Sequence, residues 1–125
     1  MCKTPIAYLL HILEECNYIL SVVTDDLPMY QFLSDETLKR AVCRSLEIVG
    51  EATKKIPADV KYQWSDIQWK HMAGMRDRLI HDYMGVNYLI VWDVAKNIIP
   101  KLQPQIEAVI EKEQSRCASC CVRYV

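Results

Sequence analysis

The sequence predicts an all-α fold, a bundle of four or five helices. Apolar residues recur at alternating spacings of three and four along most of the 125-residue chain, the pattern of amphipathic helices. No segment alternates apolar and polar residues with a period of two, as a half-buried strand would. The chain has only three Gly and five Pro, fewer than the frequent turns of β-sandwiches and barrels usually need. We expect one helical domain over residues 1–114 and a flexible, cysteine-containing tail over residues 115–125.

The first two predicted helices are the longest. The first begins at Thr4 and Pro5, and its apolar face carries Ile6, Leu9, Leu13, Cys16, Leu20 and Val23. The second begins near Ser34, a favourable N-cap residue, and carries Leu38, Val42, Ser45, Val49, Ala52 and Ile56. Pro57 ends it, because the residue before a proline disfavours helical geometry. Residues 57–65 then form a connector with about one helical turn.

Three further helical segments follow. One covers residues 67–81, is capped by Ser65 or Asp66, and buries Met72, Met75 and Leu79. Gly85 interrupts the pattern, and Asn87 caps the next helix, whose inner face carries Leu89, Trp92, Ala95 and Ile99. Pro100 suits the first turn of a fifth helix, or it kinks one long helix that joins the fourth and fifth.

Charge and hydropathy exclude several classes of partner. Fifteen basic against sixteen acidic residues give a net charge of −1, so any contact with nucleic acid has to be local, and we expect no DNA partner. Residues 1–23 are the only candidate targeting segment, but His11, Glu14 and Glu15 interrupt it. The chain contains no run of eighteen uncharged apolar residues, the length that a helix needs to span a bilayer. We therefore expect a cytoplasmic protein with no membrane partner.

The cysteines and two of the histidines do not indicate a metal site. Cys2, Cys16 and Cys43 lie in apolar stretches, and we predict that they are reduced. The tail contains Cys117, Cys120 and Cys121 at zinc-knuckle or redox spacing, but a structural zinc needs about four ligands and no second pair supplies them. We predict no metal and no cofactor. His11 is expected in the core or an interface, and His71 at the surface without an evident partner.

The window 74–88 concentrates residues suited to phosphodiester chemistry: Arg76, Arg78, His81 and Tyr83. An arginine holds phosphate oxygens through its planar fork, and a histidine moves a proton near neutral pH. On a regular helix His81 lies roughly 140° from Arg76. The two converge only if the helix ends near His81 or if a second copy of the chain supplies the partner residue. The alternative is a solvated helix face.

The same window resembles a known family. Arg76, His81 and Tyr83 match the Arg-x4-His-x-Tyr motif of the HepT-like ribonucleases, a family of the HEPN superfamily. Residues 8–14, 46–52, 74–81 and 91–92 resemble the successive helices of that family in the same order, so the resemblance covers residues 5–113. The chain departs from the family in its tail after Glu113 and at Ser45, where relatives often carry an amide.

The resemblance implies a HEPN-type up-and-down bundle and a homodimer whose paired motif helices line a cleft. It implies metal-independent RNA cleavage, in which the ribose 2′-hydroxyl attacks the adjacent phosphate. His81 would be the general acid or base, Arg76 would hold the phosphate, and Arg78 would support RNA binding. It further implies the toxin of a type VII-like toxin–antitoxin pair, whose minimal nucleotidyltransferase antitoxin adenylylates Tyr83.

The second predicted helix offers supporting residues in a polar stripe of Arg40, Arg44, Glu47 and Glu51. If this stripe faces the cleft, Arg44 binds RNA and Glu47 orients the motif residues. The alternative is an outward face with intrahelical ion pairs. Likewise, the aromatic residues Tyr62, Trp64, Trp69 and Tyr88 either stack on bases or fill the core.

Two other function classes stay open. The chain could be a non-catalytic subunit of a nucleotidyltransferase complex that binds a nucleotide or is itself the substrate, which a near-zero net charge would suit. It could also be a purely structural helical module. Cleavage of RNA by the purified protein in excess chelator separates the ribonuclease from both.

Overall fold

A computed structural model describes residues 6–81 and 85–120, and most of them are helical. The prediction of an all-α fold is confirmed. The elements in chain order are α1 (Ile6–Val22), α2 (Met29–Ser34), α3 (Glu36–Lys54), α4 (Ala58–Gln63), α5 (Trp69–Ala73), α6 (Met75–Leu79), β1 (Ile80–His81), β2 (Gly85–Val86), α7 (Tyr88–Asp93), a π-helical turn (Val94–Ile98) and α8 (Ile99–Cys120).

The core lies where α1 packs against both α3 and α8. The fully buried side chains of this core come from all three helices: Leu9 and Ile12 of α1, Leu46 and Val49 of α3, and Ile106 and Val109 of α8. Burying one such side chain contributes about 1.5–3 kcal/mol. The packing of three long apolar stripes therefore holds the bundle together, and the short helices α4 to α7 are added to it.

Helix α3 begins one residue later than the sequence predicts. Asp35, not Ser34, is its N-cap, and the Asp35 carboxylate accepts a hydrogen bond from the backbone N–H of Leu38 at 3.0 Å. Ser34 instead ends the short helix α2. At the other end, α3 stops at Lys54 with Lys55 as its C-cap, close to the predicted end. The connector after Pro57 contains α4, with Pro57 as the N-cap.

The third predicted helix, over residues 67–81, is wrong in three respects. It begins at Trp69 with Gln68, not Ser65 or Asp66, as its N-cap, and it is divided at Gly74, the C-cap of α5. Its last helical residue is Leu79. Residues Ile80 and His81 form β1 and pair antiparallel with Gly85 and Val86 of β2. Gly85 has a φ of +96°, which only glycine adopts readily, and this allows the chain to turn back. The Asn87 N–H then donates to the Leu79 carbonyl at 2.8 Å.

Gly50 sets how closely α3 approaches the junction of α5 and α6. A Cβ at Gly50 would lie 3.2 Å from the carbonyl oxygen of Met72 and 3.5 Å from the Cβ of Met75. The first distance is shorter than most real Cβ contacts, and the oxygen belongs to the backbone, so α5 would have to shift slightly to admit a Cβ. The absence of a side chain at Gly50 therefore lets α6 seat its buried residues against α3.

The last helices form one continuous path with a π-helical turn in it. Asn87 caps α7, as predicted, by accepting from the N–H of Leu89 at 3.1 Å. Within the π-helical turn, the Ile99 N–H donates to the Val94 carbonyl. This wider turn directly precedes Pro100, whose ring would otherwise crowd the carbonyl of Lys96. Of the two alternatives for Pro100, the structure therefore supports one long helix with an irregular turn before Pro100, and not a separate fifth helix.

Two expectations for this region are wrong. Leu89 is 57% exposed, because it follows the N-cap on the outer side of α7, where Val91 is the buried residue. Helix α8 continues to Cys120, so the first six residues of the predicted flexible tail over 115–125 are helical. Residues 121–125 lie outside the described residues, and the boundary of the domain stays a prediction.

Candidate active site

Helix α6 presents the motif arginine to solvent. Its first and last residues, Met75 and Leu79, are four positions apart and are buried to 1% and 0% exposure. Because residues four apart share one face of a helix, the three residues between them, Arg76, Asp77 and Arg78, lie on the outer side and are exposed. The helix packs on α3 and α7, which fixes the direction of its exposed face.

The chain leaves helical geometry between Arg76 and His81. Helix α6 ends at Leu79, and the backbone of His81 lies in β1 opposite Gly85. The angle of roughly 140° between Arg76 and His81 on a regular helix therefore does not apply. Of the two routes to convergence, the helix does end near His81. The His81 side chain and the whole of Tyr83 lie outside the described residues, and their roles stay predictions.

Arg78 is held by His71, a residue for which the sequence indicates no partner. The Arg78 Nη1 donates a close hydrogen bond to Nε2 of His71 on α5, and His71 is half-buried. A guanidinium only donates, so Nε2 of His71 is the acceptor in this bond. The spacing of seven residues could have indicated the pair, since residues seven apart lie on one side of a helix.

The polar stripe of α3 forms ion pairs within its own helix. Arg44 Nη1 lies 3.3 Å from Glu47 Oε1, and the two side chains are 70% and 22% exposed. Arg40 pairs with Glu36 at 3.3 Å. Ion pairs between exposed side chains are screened by water and contribute little to stability. Within residues 6–81 and 85–120, no hydrogen bond or ion pair joins Arg44 or Glu47 to Arg76, so the outward-face interpretation fits better.

Comparison with known proteins identifies the family. A model of the family described as "Ribonuclease HepT-like" matches residues 12–109, which include α6, the hairpin and most of the core. The chain belongs to the HepT-like ribonuclease family. The expected membership, including its placement in the HEPN superfamily, is thereby confirmed.

Individual relatives of this HepT-like chain come from bacteria and archaea. A Caldanaerobacter subterraneus subsp. tengcongensis protein named as a candidate RNase is 45% identical over 112 residues, which are 90% of this chain and 99% of that protein. A Methanocaldococcus jannaschii protein, also named as a candidate RNase, is 43% identical over 105 residues, or 84% and 90% of the two chains. A Thermococcus cleftensis protein named as a candidate ribonuclease HepT is 40% identical over 95 residues, or 76% and 86%. No solved structure matches this chain.

The buried cysteines of this HepT-like chain are not nucleophiles. Cys16 and Cys43 are free and buried, which confirms the prediction that these two are reduced; Cys2 lies outside the described residues. Burial raises the pKa of the Cys16 thiol to about 12, with a further contribution from the charge of Glu15. Burial and the charge of Glu47 raise the pKa of Cys43 to about 11. Both thiols are protonated at neutral pH and serve packing.

Neither a metal cluster nor a membrane helix is found in the part of the chain that the structure describes. No group of three or more His, Cys, Asp and Glu side chains there could hold a metal ion. No described helix is both long and apolar enough to cross a bilayer. Cys117 and Cys120 belong to α8 by their backbone, while their side chains lie outside the described residues. Cys121 is likewise outside them.

The aromatic residues divide between core and surface. Trp69 is buried and its Nε1 donates to the Trp64 carbonyl at 3.0 Å. The Tyr88 ring lies under the Lys39 ammonium, 4.7 Å from the ring centre. Tyr62 is 87% exposed, so only for this residue does stacking on a base fit the structure well. His11 is also exposed on α1, and its expected place in the core is wrong.

Proposed function

We propose that this HepT-like chain is a metal-independent RNA endonuclease, the toxin of a type VII-like toxin–antitoxin pair. The observation that carries this proposal is the geometry of α6. It exposes Arg76 and Arg78 on one short helix, and the chain reverses direction directly after it, at His81. Two permanent cations beside a histidine at a helix end suit a phosphodiester whose cleavage needs proton transfer.

The chemistry proposed for the site uses only groups of the protein and the RNA. His81 removes the proton from the ribose 2′-hydroxyl, and the 2′-oxygen attacks the adjacent phosphorus. The bond to the 5′-oxygen of the next nucleotide breaks, and that oxygen takes up a proton from water, while His81 releases the proton that it removed to solvent. The products are a 2′,3′-cyclic phosphate and a free 5′-hydroxyl. Arg76 stabilises the charge that develops on the phosphate oxygens in the transition state, and Arg78 holds the neighbouring backbone.

The proposed active form is a homodimer. Two copies of α6 facing each other across a two-fold axis would bring two sets of Arg76 and His81 into one cleft. Light scattering at micromolar concentration should give about twice the chain mass of 14.6 kDa, and more when the antitoxin is added. A strict monomer that cleaves RNA would contradict the shared cleft.

The proposed control is covalent. A minimal nucleotidyltransferase antitoxin transfers AMP from ATP to the Tyr83 hydroxyl and releases pyrophosphate. The added group carries negative charge into the neighbourhood of Arg76 and Arg78 and occupies the place of an RNA phosphate. Arg44 and Glu47 are proposed to take only a supporting part, and residues 1–114 to form the functional domain.

A second candidate is a non-catalytic subunit that binds a nucleotide for a nucleotidyltransferase. The net charge of −1 favours it, since the chain lacks the overall positive field that draws many nucleases to RNA. One experiment separates the two. The purified chain is incubated in excess EDTA with single-stranded RNA and, in a parallel reaction, with the same RNA in which the nucleotide on the 5′ side of the cleavage site is 2′-deoxy.

The ribonuclease should cut the unmodified RNA in EDTA and leave a 2′,3′-cyclic phosphate. It should not cut at the 2′-deoxy position, because the attacking hydroxyl is missing there. If all of the RNA stays uncut and the chain measurably binds a nucleotide, the binding subunit is favoured. Cleavage at the 2′-deoxy position would show that water, not the ribose hydroxyl, is the nucleophile.

A further inference from the structure

A narrow cleft separates α5 from the start of α8. Its volume is about 290 Å³, at the lower end of the range of about 300–1,000 Å³ for small-molecule sites. Its apolar floor is formed by the half-buried Ile98, beside Met72 and Leu102, which are only 1% and 3% exposed. The rim is polar and is formed by Asp66, Gln68, His71, Asn97, Lys101 and Gln105.

This lining suits a single planar base. An apolar floor contacts the faces of a ring, and side-chain amides read its edges because each amide both donates and accepts. Among the residues that the structure describes, the side chains of Gln68 and Gln105 make no hydrogen bond. Their amides are therefore available to a ligand, whereas Asn97 already donates to Asp93 at 2.7 Å.

A second, wider depression shares Gln68 and His71 with the cleft. Its volume is about 810 Å³, and its lining includes Lys61, Tyr62 and Lys70. The Tyr62 ring is 87% exposed between these two cations in the sequence. Cations that track a backbone, together with an exposed aromatic ring on which a base stacks, are the features of single-strand binding proteins.

His71 connects both depressions to the candidate active site. Its ring lines the cleft and the wider depression, and its Nε2 accepts the hydrogen bond from Arg78. A molecule bound beside His71 is thus close to the guanidinium that follows Arg76 by two residues.

We propose that the two depressions form one subsite for single-stranded RNA, here called the α5 subsite and defined by Tyr62, Gln68, His71 and Gln105. One unpaired base enters the narrow cleft, and a neighbouring base stacks on Tyr62. The proposal deepens the proposed ribonuclease function and rests on it, because the strand continues from the α5 subsite to Arg76. The α5 subsite would give the enzyme a preference for the base beside the cut.

The first test is the cleavage pattern. A library of single-stranded RNA with random sequence is cut by the wild-type protein, by the double variant Gln68→Ala/Gln105→Ala and by Gln31→Ala. Gln31 is an exposed glutamine on α2 and serves as the matched control. Wild type and Gln31→Ala should share a base preference of about tenfold at one position. The double variant should cut RNA with no base preference at that position. An unchanged preference in the double variant overturns the subsite.

The second test is binding, which does not depend on cleavage. NMR spectra of the side-chain amides of ¹⁵N-labelled protein are recorded while AMP, CMP, GMP or UMP is added. The amide signals of Gln68 and Gln105 should shift with at least one of them, and that of Gln31 should not. Binding of a 2′-O-methyl oligonucleotide should weaken about tenfold in Tyr62→Ala and stay unchanged in Tyr30→Ala, the exposed tyrosine of α2 that is 76% accessible.

The outcomes separate the subsite from the ribonuclease. Shifts at both amides together with weaker oligonucleotide binding by Tyr62→Ala, but without RNA cleavage, keep the subsite and overturn the ribonuclease. Cleavage without amide shifts or base preference keeps the ribonuclease and overturns the subsite. If Tyr62→Ala leaves RNA affinity unchanged and instead lowers the mass measured by light scattering, this surface is a protein interface and the subsite is overturned.

Discussion

Arg78 on α6 donates a hydrogen bond through Nη1 to Nε2 of His71 on α5, across the break at Gly74 that divides the two helices. The bond ties the exposed face of the motif helix to the preceding helix.

A double-mutant cycle measures this contact. The variants His71→Ala, Arg78→Ala and the double variant should give a coupling in unfolding free energy of about 0.5–1.5 kcal/mol. The matched cycle of Arg78→Ala with His11→Ala should give no coupling, because His11 lies on α1 and is exposed. Equal coupling in both cycles would mean that the contact does not form in solution.

The proposed catalytic pair leads to a second prediction. His81→Ala and Arg76→Ala should each lower RNA cleavage by about two to four orders of magnitude, the range for losing general acid–base or charge stabilisation. Arg76→Ala should melt close to wild type, because Arg76 is exposed. We expect the same of His81→Ala, because the role proposed for His81 is proton transfer. Cleavage assays of His11→Ala and Arg40→Ala, the matched controls, should give wild-type rates. Full activity in either motif variant would remove the proposed mechanism.

Gly50 provides a prediction about the position of α6. In Gly50→Ala the new Cβ would meet the Met72 carbonyl oxygen at 3.2 Å, so α5 and α6 have to shift, at a cost of about 1–3 kcal/mol. The control Gly74→Ala should cost much less, because its nearest contact is an ordinary 3.4 Å to the Lys70 carbonyl oxygen. Chemical denaturation of both variants measures the difference. Gly50→Ala should also slow RNA cleavage, and equal stability of the two variants would contradict the close approach.

The sequence predicted the long helices well because their apolar stripes are long enough to define a face. The stripe of α1 and the cap at Asn87 rest on spacing and local hydrogen bonding, which one sequence contains. The end of α6 at Leu79 could not be predicted in this way. It depends on the pairing of Ile80 with Val86, a contact with a later residue that no helical period reports.

The same limit applies to the candidate site. Residue types and spacing indicated Arg76 and Arg78, and the structure places both on an exposed face. His71 was missed as the partner of Arg78. The spacing of seven residues indicates such a pair only on one continuous helix, whereas Gly74 divides α5 from α6 and both pack against Gly50. The cleft beside His71 was also missed. One of its walls belongs to α8, which lies about thirty residues later in the chain, roughly the length of two helices. A local sequence pattern does not report a contact over that separation.

The buried thiol of Cys16 gives a prediction about pH. Its pKa is raised from 9.0 to about 12 in the folded chain, so the folded state keeps the proton longer than the unfolded state does. This contribution to stability is fully present below pH 9 and is lost as the pH rises from 9 towards 12. Three pKa units correspond to an upper bound of about 4 kcal/mol.

The measurement is the unfolding free energy of wild type and Cys16→Ala from pH 8 to pH 11. The wild type should lose its advantage over Cys16→Ala as the pH rises, because the alanine has no proton to release. Tyrosines and lysines titrate in both proteins and cancel in the difference. A constant difference across this range would mean that the Cys16 thiol is not shielded from water in the folded state.

The last prediction concerns the proposed control through Tyr83, which in the sequence lies two residues after His81 and two residues before Gly85. The antitoxin with ATP and Mg²⁺ should add one or more units of AMP to this chain, and intact-protein mass spectrometry measures the addition. Each unit brings a negative charge near Arg76 and Arg78, so the modified protein should lose RNA cleavage while it melts like the unmodified one. Tyr83→Phe should gain no mass and keep cutting in the presence of the antitoxin, whereas Tyr30→Phe should behave like wild type. An AMP found on another residue, or inhibition without any mass change, would replace covalent control by simple occlusion of the site and leave Tyr83 a contact for RNA.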